Sequence, residues 1–165
     1  MAREHRDRAT LVSVSEHLHY EVWMLSTLAN ALASSAFGQG ALANAALESF
    51  TLHLRTLLDF FYSSRPKNDD VIAEDFFPDP SDWITRRPDK TELLEDVHRR
   101  VGKEVAHLTY VRLELGPDDK EWPFLRLAND LRIPLFHFLK MAPRHNLGPK
   151  WEGMIKQARD NQLNA

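Results

Sequence analysis

The sequence predicts an all-α fold: a four-helix bundle with a long crossover loop between helices 2 and 3 and a short C-terminal helix. Three observations carry this reading. Apolar residues recur with a helical period over four long stretches. Glycine and proline separate those stretches. One segment, residues 65–90, holds four prolines and many acids and breaks the period altogether.

The first helix is expected over about residues 13–35, with Leu11, Val14, Leu18, Val22, Leu25, Ala29 and Leu32 as its apolar stripe and Phe37-Gly38-Gln39-Gly40 as its stop. The second is expected over about 41–63, with Ala43, Leu47, Phe50, Leu54, Leu57 and Phe61 on one face and further apolar surface at Leu52, Phe60 and Tyr62. Residues 65–90 read as a crossover packed on the bundle, anchored by Val71 to Phe77 and by Trp83-Ile84; a connection of that length is often functional. The third helix starts near Asp89 or Thr91, with Thr91 as its cap, and runs to about Leu113, its apolar stripe being Leu94, Val97, Val101, Val105 and Leu108. The fourth spans about 122–141, where Pro134 should kink or break it. Gly148-Pro149 then precedes a short polar helix at about 150–161. This describes one domain over 1–165, with a core at about 11–141 and a C-terminal extension at about 142–165.

Composition narrows the function classes. A net charge of -3 gives no general attraction to nucleic acid, so any such binding needs a local patch. The absence of cysteine excludes disulfides, thiolate zinc sites and cysteine nucleophiles, and fits a cytoplasmic setting. No run is apolar and long enough for a membrane span, and no membrane partner is expected.

The pattern richest in chemistry is on the third helix. At about 100° per residue, Arg100 and His107 fall within roughly 20° of each other on the wheel, with Lys103 on the same stripe. They stand about 10 Å apart along the axis. Metal-free RNA cleavage needs a group that moves the proton of a 2′-hydroxyl and cations that stabilise charge on the phosphate. Histidine titrates near neutrality and suits the first task; arginine's fork of donors suits the second. The stripe lies opposite the Val97/Val101/Val105 face, so it meets either solvent or a partner, and an ordinary solvated face is the plain alternative.

With its neighbouring words, this stripe resembles the HEPN superfamily of small helical bundles, many of them metal-independent RNases, whose signature is an Arg, four to six residues, then a His. Six residues separate Arg100 from His107. The similar words are Leu18-His19-Tyr20-Glu21, Glu48-Ser49-Phe50, His53-Leu54-Arg55, Leu58-Asp59-Phe60-Phe61 and Ala106-His107-Leu108-Thr109-Tyr110, so the likeness to this group of bacterial proteins covers about residues 15–115. Val101 departs from the polar residue that often follows the Arg. The resemblance implies a toxin or defence component that binds or cleaves RNA, with Arg100 and His107 catalytic and Lys103 on the strand. It implies no cofactor, a homodimer whose motifs meet across a cleft, and often a nucleotidyltransferase-type antitoxin partner. A non-catalytic homodimeric interaction module would keep the same helix.

A metal site is the other class weighed. Glu16-x-x-His19 and Glu104-x-x-His107, with Glu48 and Asp130, echo di-iron bundles, but the first two pairs point away from the apolar stripes. His17, Glu21 and His53 form a looser set that could hold a single metal. The plainer reading is a structural polar network of Glu21, His53, Arg55 and Asp59 that fixes how helices pack. His137 is expected as a satisfied, partly buried histidine, and Trp83, Trp122 and Trp151 as anchors.

Overall fold

The computed structural model describes residues 5–101, 105, 109–114, 116 and 121–160. Their regular structure is all helical, with no strand among the described residues. Six α-helices follow in order: α1 (Arg8–Ala33), α2 (Ala41–Tyr62), α3 (Ser81–Arg86), α4 (Glu92–Arg100), α5 (Phe124–Met141) and α6 (Glu152–Asp160). None is long and apolar enough to cross a membrane.

Contacts along the chain cluster into two compact units. The first comprises Met1–Glu21, Asp59–Asp89 and Arg132–Ala165; the second comprises Val22–Leu58 and Lys90–Leu131. Residues 142–165, expected as an extension, belong to the first unit together with the start of α1.

The first unit is organised around aromatic rings. Phe138 of α5 meets Phe60, Phe76 and Trp83 edge-on at centroid distances of 5.3, 5.3 and 5.8 Å. Phe77 stacks on Trp83 at 6.0 Å. The crossover supplies three of these rings, which is why a proline-rich segment holds its place: Ile72, Ala73, Phe76, Phe77 and Trp83 are buried, and Trp83 Nε1–H donates to the Phe61 carbonyl at 3.1 Å. Val71 and Ile84, expected as anchors, point outward instead. The crossover also folds locally, as a 3-10 turn at Ala73–Phe76 and as α3.

The C-terminal segment is seated on α1. Gly148 N–H donates to Ser15 Oγ at 2.8 Å, and Trp151 Nε1–H donates to the Ser15 carbonyl at 2.8 Å. Lys150 Nζ lies 3.0 Å from Glu16 Oε2, and the edge of His19 meets the Trp151 ring at 5.1 Å. A Cβ at 148 would meet the Glu16 carboxylate, which would have to swing away from its place beside Lys150. Trp151, Ile155 and Ala158 are buried, so the helix expected as polar has an apolar face.

In the second unit, α1 ends differently from the expected glycine stop. Ser35 N–H donates to Leu32 O (3.0 Å) and Ala36 N–H to Ala31 O (2.9 Å), the paired bonds of a Schellman turn. The left-handed residue of that turn is Ser35, at φ 54°. Gly38 and Gly40 serve the next turn and the start of α2, where Asn44 N–H donates to Gly40 O at 3.0 Å.

Helix α4 is capped as expected: Leu94 N–H donates to Thr91 Oγ1 at 3.3 Å. Thr91 Oγ1 in turn donates to Asp130 Oδ2 at 2.6 Å, tying the cap to α5. Acids in its first turn and His98, Arg99 and Arg100 in its last complement the helix dipole. The expected run to Leu113 is not one α-helix. It is α-helical to Arg100, Val101 and Val105 are π-helical, and a 3-10 turn covers Tyr110–Leu113. Pro134 sits inside α5 without breaking it; the carbonyl of Asp130 merely lacks its helical donor.

Candidate functional site

Arg100 is the last residue of α4 and is half-buried. Its guanidinium carbon stands 4.5 Å from the centroid of the Trp122 ring, and Nη1 donates to the Glu121 carbonyl at 3.4 Å. The residues before α5 therefore hold Arg100 from one side with a π face and a carbonyl. A cation over an indole is worth about 0.5–2 kcal/mol, depending on how far it is desolvated. Sequence reasoning took Trp122 as an anchor; the structure makes it the platform of the arginine.

Lys103 and His107 lie outside the described residues. The wheel that aligned them with Arg100 presumed a continuous α-helix. Val101 and Val105 are π-helical, not α-helical. Such turns occur often at functional sites.

Beside Trp122 opens a groove of about 580 Å³ in the second unit. Glu121, Trp122 and Phe124 line it from the start of α5, Asn44 and Leu47 from α2, and Ser35, Phe37 and Gly38 from the α1–α2 turn. The strained Ser35 is thus part of its wall. Nothing in the sequence marks Ser35, since the left-handed position of a helix stop ordinarily belongs to glycine.

The expected polar network is distributed as follows. His53 is buried, Glu21 and Asp59 are half-buried, and Arg55 is exposed. None of the four is without a partner. His17 is exposed. Among the described residues, no three histidine or acidic side chains form a group able to hold a metal ion. Two residues of the di-metal reading have other work: Glu16 pairs with Lys150, and Asp130 accepts from Thr91. Glu48 is exposed.

Desolvation pushes the Glu16 carboxyl upward, but hydrogen bonds from Lys150, its charge and that of His19 outweigh it and hold the pKa below the ordinary value. Tyr62 is raised to about 12, by burial first and by Asp89, against the opposing charge of Arg87. The Tyr62 hydroxyl donates to the Pro88 carbonyl at 3.0 Å, and Arg87 stands 5.4 Å from its ring. His137 is half-buried, as expected, but satisfied on one side only: its Nε2 is buried with no hydrogen-bond partner. Burial, with the charges of Lys140 and Arg86, lowers its pKa against a backbone hydrogen bond at Arg86. Trp83 and Trp151 are fully buried, as anchors should be.

Scans against protein-family models, curated proteins and solved structures each find no match to this chain.

Proposed function

We propose that this chain is a HEPN-like four-helix bundle that binds or cleaves RNA without a metal, acting as a homodimer in the cytoplasm. In this reading α1, α2, α4 and α5 are the bundle helices, and the segment with α3 is the crossover. The observation that carries it is the seating of Arg100 over Trp122 and against the Glu121 carbonyl, beside π-helical Val101. A guanidinium held in advance stabilises a phosphate without being ordered at the moment of reaction. His107 takes the proton of the 2′-hydroxyl. The 2′-oxygen bonds to phosphorus as the bond to the 5′-oxygen breaks, and the leaving oxygen takes a proton from solvent. Arg100 meets the charge on the phosphoryl oxygens, and Lys103 holds the strand. As a toxin or defence component, the chain would be checked by a nucleotidyltransferase-type antitoxin.

The test is cleavage of total tRNA in EDTA by the wild type, Arg100→Ala and His107→Ala. Cleavage by the wild type that both variants lose supports the reading. Absence of cleavage together with absence of salt-dependent RNA binding overturns it. A second reading, a non-catalytic dimerising module, is favoured by the large apolar side chains exposed in the second unit, Trp23, Leu42, Leu52 and Leu125 among them. Under that reading sedimentation finds a dimer, Leu52→Asp dissociates it, and RNA is ignored.

A further inference from the structure

The groove at Trp122 has a chemistry that selects one kind of ligand. Its volume of about 580 Å³ lies within the range of small-molecule sites, about 300–1,000 Å³. Trp122 offers an indole for stacking, with Arg100 on its ring as a cation. Stacking alone tolerates every base. Glu121, next to the indole in the lining, does not. A carboxylate accepts two hydrogen bonds side by side. Among the four RNA bases, guanine alone presents two adjacent N–H donors, N1–H and the N2 amino group. Adenine and cytosine set an acceptor beside their amino group, and uracil sets its N–H between two acceptors; each would turn a lone pair toward the carboxylate. Asn44 adds an amide donor for guanine O6, and Ser35 a hydroxyl, kept at a left-handed position where glycine would be less strained. Strain of this kind concentrates at ligand sites.

We propose that this groove takes the guanine base of a nucleotide, stacked on the face of Trp122 opposite Arg100, with its Watson–Crick edge on Glu121. The inference rests on the RNA reading above and names the base that reading left open.

The experiment is titration of the full chain with GMP, AMP, CMP and UMP, followed by calorimetry and tryptophan fluorescence, with folding of each variant checked by circular dichroism. GMP is expected to bind at least about tenfold more tightly than the others, and Glu121→Gln to lose that preference by about tenfold, as loss of a charge-assisted hydrogen bond would. Trp122→Ala weakens all four, and Trp122→Phe, which keeps a stacking face, retains the order. Equal binding of the four, no binding, or GMP binding indifferent to Glu121→Gln overturns the proposal. Cleavage of tRNA without GMP binding sinks the guanine site and leaves the RNA reading standing. GMP binding that Glu121→Gln abolishes, without RNA binding, supports the site and sinks the RNA reading.

Discussion

Replacing Ser35 by glycine should stabilise the protein. Ser35 holds the left-handed position of the turn that ends α1, at φ 54°. An L-residue there costs roughly 1–2 kcal/mol, because its Cβ crowds the following carbonyl. Glycine avoids that cost but loses about 0.5–1 kcal/mol more conformational freedom on folding. Ser35 is exposed, so little packing is lost with its hydroxymethyl group. The balance is a gain of about 0.5–1 kcal/mol. In a chain of this size 1 kcal/mol moves Tm by about 2–4 °C, so the expected rise is about 1–4 °C. Gly38→Ala provides the opposing measurement. It sits at φ 60° with open space around the added Cβ, so its effect is purely conformational, and Tm should fall by a similar amount. Scanning calorimetry of both variants decides it. If Ser35→Gly lowers Tm, or if the two substitutions shift it in the same direction, the argument from backbone strain is wrong. Ser35→Gly should also weaken any ligand of the groove, so that stability and binding move in opposite senses.

Thr91→Ala removes both the acceptor for Leu94 N–H and the donor to Asp130, and urea unfolding should register a loss of about 1–2 kcal/mol; a change below 0.3 kcal/mol, within about the scatter of surface substitutions, would dismiss the cap. Gly148→Ala displaces the Glu16 carboxylate from Lys150 and should cost about 0.5–1 kcal/mol. The cost should largely vanish in a Glu16→Ala background, and a double-mutant cycle showing additivity would refute the collision. His137 has a lowered pKa, so the unfolded chain binds its proton first. Stability should therefore be highest above the unfolded value of about 6.5 and fall as pH drops below it. His137→Phe should flatten that slope, and an unchanged profile would assign the pH dependence elsewhere.

The parts of the fold legible in the sequence are those written in periodicity and capping. α2 and α5 begin and end within two residues of their expected limits, α1 starts more than a turn earlier than expected, and Thr91 was recognisable as a cap from its place before an apolar repeat. What escaped depends on tertiary neighbours. Trp151 on a polar stretch gives no hint that Ser15, far away in sequence, receives its indole N–H. The π-helical residues after Arg100 cannot be read from a pattern that fits an α-helix just as well. The candidate site was half legible: Arg100 stood out by charge and spacing, whereas Trp122, Glu121 and Ser35 acquire meaning only once the α1–α2 turn and the start of α5 share a groove.

The seating of Trp151 on Ser15 also has a temporal side. The two residues are 136 positions apart, so every molecule is synthesised with the start of α1 waiting for its cover. At about 5–20 residues per second that interval is roughly 7–27 s. During it Leu11 and Leu18, buried in the finished protein, lack the C-terminal segment, and Ser15 lacks both Gly148 and Trp151. A nascent chain in this state shows apolar helix to its surroundings far longer than a helix takes to form. The first unit is thus completed last at its oldest end.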